Sequence, residues 1–410
     1  MTATHLDSIS TRAAAVAPSA TLALTARVRE LRAAGNDVIG FGAGEPDFTT
    51  PAPLCAAAIE ALQGGMTHYV PVPGAPDSRA AVAEVFRTRN GIECTADDVI
   101  ISNGGKFSCY LAIQALVDPG DEVVLPTPAW LSYKPMVELA GGTVVEVETG
   151  PGDNFLAKPE AIAAAMTSRT KLVIINSPSN PCGTMYSPEQ IIALADVIAG
   201  HDRAWIMSDE IYDRLVYGGR EHLSFGSLSN VADRTITING LSKTWAATGW
   251  RVGWACAPGE GGAVIKAMSR LQSQSSSSIT SFLNPAVVAA CTKADDDVEA
   301  MRVIFEQRAA LMFELVSSWP RVTCPPPAGA FYVFPDISGT FGCTSGGGRS
   351  ISSASTFAEA LLEEAAVAVV PGESFLGCGG NHVRLSFATD DESIRTGCAR
   401  VLEWLKAFQG

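Results

Sequence analysis

The feature that most constrains the fold is an alternation, between residues 52 and 300, of short apolar stretches with longer helical segments. The apolar stretches are rich in valine and isoleucine and lie at residues 99–101, 122–125, 172–175, 205–208 and 235–238. Apolar strands separated by helices are typical of a mostly parallel sheet that helices cover on both faces. The sequence therefore predicts an α/β fold.

Each predicted strand is followed by a polar or glycine-containing turn. These turns are Ser102-Asn103-Gly104-Gly105-Lys106, Pro126-Thr127-Pro128, residues 176–181, Asp209-Glu210 and the loop that contains Lys243. In open parallel sheets, ligands bind just beyond the carboxyl ends of the strands. We therefore expect turns that are far apart in the sequence to form one site.

The chain of 410 residues is long enough for one large and one small domain. A helix is predicted at residues 20–34, where Gly35 ends it, and a short strand at 37–42. Residues 339–355 are rich in glycine and serine and predict a flexible loop. The other elements of the small domain are predicted at 296–317, 331–334, 356–364, 367–370, 383–387 and a final helix.

These elements predict three parts of the chain. Residues 1–50 form an N-terminal arm and part of the small domain, residues 51–300 form the large domain, and residues 301–410 form the small α+β domain.

The composition argues against several classes of partner. The 29 basic and 43 acidic residues give a net charge of −14, which disfavours nucleic acid or an anionic membrane as the main partner. No apolar run is long enough to span a bilayer and no signal peptide is evident, so we expect a cytoplasmic protein. The ten cysteines form no C-x-x-C pair and the five histidines are dispersed, so we expect no metal site.

Lys243 is the residue whose side chain most clearly indicates a reactive role. It lies in a loop after the predicted strand at 235–238, before a turn that is rich in tryptophan, glycine and arginine. A lysine amine can form a Schiff base with an aldehyde cofactor when its pKa is lowered. Arg251, eight residues further on, could bind a phosphate group of the same cofactor.

Five motifs together resemble one protein family. They are Gly44-Glu45-Pro46-Asp47-Phe48, Asn180-Pro181-Cys182-Gly183, Ser208-Asp209-Glu210-Ile211-Tyr212, Ser242-Lys243 with Thr248-Gly249-Trp250-Arg251, and Val383-Arg384-Leu385-Ser386. The motifs occur in the same order as in the class I aspartate aminotransferase family, and the chain resembles the bacterial branch of that family. Its members are fold-type-I pyridoxal 5'-phosphate enzymes. The resemblance extends from the helix at 20–34 to the C-terminus. It implies a homodimer that moves an amino group between an L-amino acid and a 2-oxo acid by a ping-pong mechanism.

The resemblance also implies catalytic roles. Lys243 would form the Schiff base with the cofactor and then shuttle the proton of the substrate Cα. Asp209 would pair with the protonated ring nitrogen. Tyr212 would donate a hydrogen bond to the ring oxygen, and Asn180 would bind the same oxygen and help to place the substrate carboxylate.

Further residues are implied to bind the cofactor phosphate, the cofactor ring or the substrate. The phosphate would be bound by Gly105, Lys106, Ser242 and Arg251, and by Tyr69 reaching across from the partner subunit. Trp130 would stack on the ring and line the substrate site. Arg384 would bind the substrate α-carboxylate with a bidentate fork, and the backbone of Gly44 would approach that carboxylate.

Some positions depart from the family pattern. Gly240 stands where many relatives have a serine, so one phosphate hydroxyl would be missing or replaced by water. Ser78 replaces a leucine, and Asn284-Pro285 stands where relatives often have a glutamine. No counterpart is evident for the partner-chain arginine that selects dicarboxylates in one branch. These departures fit an altered substrate or an altered reaction.

Two alternatives therefore stay open. The same cofactor and fold also support elimination, replacement, decarboxylation or carbon–carbon bond formation through a quinonoid intermediate. A regulator that senses an effector with this fold would need a DNA-binding domain, but only about 20 residues precede the first family helix. Nicotinamide, P-loop, zinc-protease and nucleophile-elbow motifs do not occur in the sequence.

Overall fold

The computed structural model describes residues 9–18 and 20–409 and has the predicted α/β fold. The strands are β1 (Ile39–Gly40), β2 (Val99–Ser102), β3 (Glu122–Thr127), β4 (Thr143–Glu148), β5 (Thr170–Asn176), β6 (Trp205–Asp209), β7 (Thr235–Gly240), β8 (Gly253–Cys256), β9 (Tyr332–Val333), β10 (Val367–Ala368), β11 (Val370–Pro371) and β12 (Val383–Ser386).

The helices connect these strands and cover the sheets. They are α1 (Thr11–Ala14), α2 (Ala20–Ala33), α3 (Ala52–Gln63), α4 (Pro76–Arg89), α5 (Gly105–Leu116), α6 (Tyr133–Leu139), α7 (Pro159–Ala165), α8 (Pro188–Ala199), α9 (Leu241–Thr244), α10 (Gly261–Ser273), α11 (Asn284–Lys293), α12 (Asp295–Ser317), α13 (Ala354–Ala365) and α14 (Asp391–Lys406).

The largest sheet in the described residues has seven strands in the order β2-β8-β7-β6-β5-β3-β4. Only β8 in this sheet runs antiparallel to its neighbours, β2 and β7, so the predicted mostly parallel sheet is confirmed. The sequence patterns did not indicate β4 or β8. β8 follows directly on the glycine- and tryptophan-rich turn after Lys243, so its short apolar run is hard to distinguish from that turn in the sequence.

Both faces of this sheet are covered, as β5 illustrates. Leu172 and Ile174 pack in one apolar cluster with residues of α5, α6 and α10, whereas Val173 and Ile175 pack in another with residues of α7 and α8. All four side chains are buried. Because successive strand residues point to opposite faces, burial on both faces requires the continuous apolar run seen in the sequence.

The smaller sheets join the two ends of the chain. β1 pairs in parallel with β10, and β11, β12 and β9 form an antiparallel sheet. A shared apolar core joins these strands to α12, α13 and α14. The N-terminal strand therefore packs with the C-terminal part of the chain. The division into three parts, with boundaries at residues 50 and 300, stays a prediction.

The glycine- and serine-rich segment 339–355 is tied to the small domain by specific hydrogen bonds. Thr344 forms bridges with Ser350 and with Gln409 near the C-terminus. The carboxylate of Glu364 accepts hydrogen bonds from Ser345 Oγ at 2.8 Å and from the Gly347 amide at 3.0 Å. Residues 344–350 thus form a short hairpin that is held against α13 and against Gln409, which follows α14.

A close backbone contact positions the first turn of α5 against the sheet. A Cβ added at Gly253 in β8 would lie 2.2 Å from the amide nitrogen of Gly105, the first residue of α5. Only glycine allows this approach. In the described residues no helix is long and apolar enough to cross a membrane, and no group of His, Cys, Asp and Glu could hold a metal ion.

Candidate active site

The carboxyl ends of β5, β6 and β7 bring the predicted residues together. At the end of β5, Asn176 donates its side-chain amide to the Asp209 carbonyl at 2.9 Å and accepts from the Asn180 amide at 2.8 Å. Lys243 follows β7 on the short helix α9. The expected convergence of distant turns on one edge of the sheet is therefore seen in the structure.

Lys243 is half-buried, and its amine is directed towards the N-terminal segment. Nζ donates a hydrogen bond to the carbonyl of Gly44 and lies 5.8 Å from the centre of the Phe331 ring. Burial lowers the pKa of this amine to about 8; Glu45 opposes the shift and the positive charges of Arg384 and Arg251 reinforce it. With this pKa, on the order of a tenth of Lys243 is unprotonated, and nucleophilic, at pH 7.

Asp209 ends β6 as a buried carboxylate. Its Oδ2 accepts from the Tyr133 hydroxyl at 2.6 Å and from Cys109 Sγ at 3.7 Å, and its Oδ1 accepts from the Ile211 amide at 3.3 Å. Burial raises its pKa, although these hydrogen bonds oppose the rise. In the described part of the chain no cation forms an ion pair with it, so a ligand with a positive charge would fit here.

Arg384 on β12 carries the opposite charge to Asp209. It is a buried guanidinium without an acidic partner among the described residues. It donates to Asn180 Oδ1 at 2.9 Å and to the Gly42 carbonyl at 3.0 Å, and its Nε is buried without a partner. The rings of Tyr332 and Phe375 lie 4.5 and 5.1 Å from it. Burial lowers its pKa, but an arginine stays charged, so the site is suited to an anion such as a carboxylate.

Tyr212 is buried next to this guanidinium. Its hydroxyl lies 3.1 Å from the hydroxyl of Tyr332. Burial raises the pKa of both tyrosines, so both hydroxyls stay protonated and can donate. A Cβ added at Gly44 would lie 3.3 Å from the Tyr332 hydroxyl, so the Gly44 backbone reaches the same region as Tyr212.

The turn before α5 forms a cationic surface. Gly104 has φ +90° and caps α5, and a Cβ there would lie 2.5 Å from the guanidinium of Arg251. The backbone of Arg251 is in the left-handed conformation, with φ 55°. Lys106 Nζ lies 5.0 Å above the ring of Trp130, and its pKa is lowered by burial and by Arg251. Two cations beside the free amides that begin at Gly105 make a suitable seat for a phosphate.

The absence of a serine at Gly240 has a steric reason. A Cβ there would lie 2.6 Å from Cα of Gly253, the first residue of the neighbouring strand β8, and 2.8 Å from the carbonyl oxygen of Val252 just before it. Ser242 is buried in the first turn of α9, beside Lys243. Of the two hydroxyls that the family pattern expects here, the chain therefore supplies only that of Ser242.

Tyr69 is not part of the site of its own chain. Its side chain is 95% exposed, in the loop after α3. Three apolar residues that precede it in the sequence are also exposed, namely Ile59, Leu62 and Met66.

The two other departures from the family pattern contact each other. Ser78 Oγ donates to the backbone carbonyl of Asn284 at 2.9 Å, and Asn284 Oδ1 accepts from the Ala75 amide at 2.9 Å. Both Ser78 and Asn284 are buried. The pair joins the start of α4 to the start of α11, so these residues have a structural explanation that requires no altered chemistry.

Sequence reasoning assigned no role to three side chains of the site. Tyr133 and Cys109 bind the Asp209 carboxylate, and Tyr332 contacts both Tyr212 and Arg384. Tyr133 lies three residues after Trp130, and this spacing is a weak indication that the two side chains lie on the same side of a helical turn. Nothing in the apolar run at 331–334 distinguishes Tyr332 from a core residue.

Comparisons with known proteins identify the family. Residues 36–401 match the family model for aminotransferase class I and II. The chain is 45% identical to the aspartate/prephenate aminotransferase of Cereibacter sphaeroides, over 95% of this chain and 96% of that protein. It is 44% identical to the aspartate aminotransferase of Geobacillus stearothermophilus, over 97% and 98%.

Solved structures agree with these relatives. The aspartate aminotransferase from Rhizobium meliloti has a TM-score of 0.93 at 34% identity, covering 98% of this chain and 99% of that one. The Thermus thermophilus enzyme with maleate has a TM-score of 0.90 at 42% identity, covering 97% and 99%.

The chain belongs to the class I and II aminotransferase family, and the resemblance found in the sequence is confirmed. It is an aminotransferase of fold type I, an enzyme of the transferase class. The alternatives of another reaction on the same fold or of a regulator are not favoured.

The lowered pKa of Lys243 predicts a distinctive pH profile for its reactivity. In protein without cofactor, the rate at which trinitrobenzenesulfonate labels Lys243 should rise about tenfold per pH unit up to a pH of about 8 and then level off. The exposed Lys158, whose pKa is raised by Asp153, is the control, and its labelling should still be rising at pH 10. Peptide mass spectrometry separates the two sites; parallel profiles would contradict the assignment.

Proposed function

We propose that this enzyme transfers the amino group of an L-amino acid to a 2-oxo acid in a ping-pong reaction that uses pyridoxal 5'-phosphate. The observation that carries the proposal is a site in which a reactive amine, Lys243, is close enough to a buried carboxylate, Asp209, and a buried guanidinium, Arg384, for both charges to act on its pKa. Neither buried charge has an ionic partner among the described residues. A cationic ring nitrogen and a substrate carboxylate would supply the two missing partners.

The residues present fit this cofactor. Asp209 would hold a proton at the ring nitrogen, because a buried carboxylate favours a cation beside it. The amides that start α5 at Gly105, with Lys106, Ser242 and Arg251, would bind the phosphate. The indole of Trp130 would lie against the ring. When bound, pyridoxal 5'-phosphate supplies an aldehyde that accepts amino groups and a ring that withdraws electrons from the substrate Cα.

Lys243 would act first as a nucleophile and then as a base. With a pKa of about 8, its Nζ is neutral often enough at neutral pH to bind the aldehyde carbon. As a free amine, the same Nζ would accept the proton that leaves the substrate Cα and hold it. Tyr212 and Asn180 would donate hydrogen bonds to the ring oxygen, which favours its ionised form.

Arg384 and Asn180 would place the substrate. The guanidinium would bind the α-carboxylate, with the Gly44 backbone and Trp130 lining the same space. Several relatives are named aspartate or aspartate/prephenate aminotransferases. We therefore propose L-aspartate as the amino donor to test first.

We further propose that the active unit is a homodimer, in which Tyr69 reaches the phosphate of the partner subunit. A tyrosine that is 95% exposed, in a stretch of sequence that also exposes Ile59, Leu62 and Met66, is suited to an interface. The cytoplasmic location and the absence of nucleic-acid or membrane partners stay predictions from the composition.

A half-reaction tests the proposed chemistry. With L-aspartate and no added 2-oxo acid, the cofactor-loaded protein should release about one equivalent of 2-oxo acid per chain and no ammonia. Lys243→Ala should lower the rate on the order of a thousandfold, because both nucleophile and base are lost. Lys158→Ala, which removes an exposed lysine, should behave as the wild type. Ammonia or an eliminated product in place of the 2-oxo acid would contradict amino transfer.

Arg384→Gln should mainly weaken substrate binding. Loss of a buried charged partner of a carboxylate costs about 2–5 kcal/mol, which is roughly a 30- to 4,000-fold fall in kcat/KM for L-aspartate. Arg349→Gln is the control, because Arg349 is an exposed arginine that pairs with Glu363 on the small domain. Steady-state kinetics at several aspartate concentrations measure the effect, and an unchanged KM in Arg384→Gln would overturn the assignment.

A mixture of two inactive variants tests the role of Tyr69 across the dimer. Tyr69→Ala and Lys243→Ala subunits should each have low activity. A hybrid dimer has one site with both defects and one site with neither, so purified hybrids should recover about half of the wild-type activity per dimer. Hybrids that are no more active than the parents, or a monomer in sedimentation, would contradict the proposal.

A further inference from the structure

Asp209 is held by a pair of neutral donors that come from two different helices. The donor pair consists of Tyr133, the first residue of α6, and Cys109 in α5. Both point their donor atoms at the same carboxylate oxygen, Oδ2, at 2.6 and 3.7 Å. Within the described part of the chain, the other oxygen, Oδ1, accepts a hydrogen bond from the backbone amide of Ile211 alone.

The donor pair is sealed from solvent, so water cannot replace it. Tyr133 and Cys109 are each 1% exposed. Burial and the charge of Asp209 raise the pKa of both groups, so each keeps its proton and remains a donor across the working range of pH. A hydrogen bond from a neutral donor to a buried carboxylate is stronger than one between neutral groups.

Tyr133 also connects Asp209 to the aromatic residue that is proposed to lie against the cofactor ring. The rings of Tyr133 and Trp130 meet edge to face, with centroids 5.2 Å apart and planes at 86°. The Tyr133 amide donates to the Trp130 carbonyl at 3.1 Å. The Tyr133 side chain therefore contacts both Trp130, which would lie against the plane of the cofactor ring, and Asp209, which would pair with the ring nitrogen.

We propose that Tyr133, assisted by Cys109, is a positioning residue that keeps Asp209 ionised and oriented towards the ring nitrogen of the cofactor. The proposal rests on the proposed pairing of Asp209 with that nitrogen. Without the donor pair, the buried carboxylate has one backbone donor and tends to bind a proton itself, which weakens its hold on a ring cation.

Other titratable groups around Asp209 do not replace the donor pair. Glu210, the next residue, bonds to Ser208, Ser224 and His222 on a separate buried network. The charge of Asp209 acts on the pKa values of Tyr212 and Lys243, but no hydrogen bond joins either of them to its carboxylate among the described contacts.

The experiment measures cofactor affinity and the pH titration of the bound cofactor's visible absorbance, neither of which requires turnover. Tyr133→Phe keeps the ring and removes the donor. It should weaken cofactor binding by about tenfold or more and shift the absorbance titration, as loss of a hydrogen bond to a charged group does. Tyr186→Phe is the matched control, because this buried tyrosine bonds to the Ala157 amide instead, and its effect should stay below about twofold.

A double variant separates a positioning role from a structural one. In an Asp209→Asn background, Tyr133→Phe should weaken cofactor binding by less than about twofold, because the carboxylate on which it acts is gone. An equal loss in both backgrounds, or no change in Tyr133→Phe alone, would overturn the proposal. If Asp209→Asn itself changes neither measurement, the proposed pairing of Asp209 with the ring nitrogen fails instead.

Circular dichroism of the cofactor-free protein checks folding. If Tyr133→Phe does not fold, Cys109→Ala takes its place, since it removes the weaker donor to the same oxygen. It should weaken cofactor binding a few-fold in the wild-type background and not in Asp209→Asn. Unchanged binding in Cys109→Ala would overturn the role of the donor pair.

Discussion

The burial of two opposite charges, neither of them neutralised by a partner among the described residues, is the constraint on which the site depends. Asp209 and Arg384 are 5% and 2% exposed. Removing such groups from water is costly unless hydrogen bonds or an opposite charge compensate. The protein supplies hydrogen bonds, from Tyr133 and Cys109 to Asp209 and from Arg384 to Asn180 and Gly42, and leaves the opposite charges to ligands. The site is therefore organised before any ligand arrives.

The same low-polarity surroundings make Lys243 reactive. Burial lowers the pKa of its amine, and the nearby Arg384 and Arg251 act in the same direction, against the attraction of Glu45. The two arginines thus have a second effect besides the anion binding proposed for them, since their charges favour the neutral amine of Lys243. If the proposed phosphate and carboxylate neutralise these arginines, part of this effect would be removed, so the proposal couples the reactivity of Lys243 to ligand binding.

The positions that depart from the family pattern are explained by packing. Ser78 and Asn284 are 206 residues apart in the sequence and bonded to each other, and Gly240 is required by the close approach of Gly253 and Val252. A departure near a motif is therefore weak evidence for a new reaction until its contacts are known. The family comparisons, which favour amino transfer, agree with this interpretation.

The sequence by itself determined the α/β fold, the family and the placement of Asn180, Asp209 and Lys243 at one edge of the sheet. It could do so because strands buried on both faces are apolar throughout, and because parallel strands end on the same side. Only the tertiary structure decided which side chains support these residues. Tyr133 reaches Asp209 across 76 residues, and Tyr332 reaches Tyr212 across 120. Such contacts depend on how helices and small-domain strands pack on the sheet, and no local pattern of residues encodes that packing.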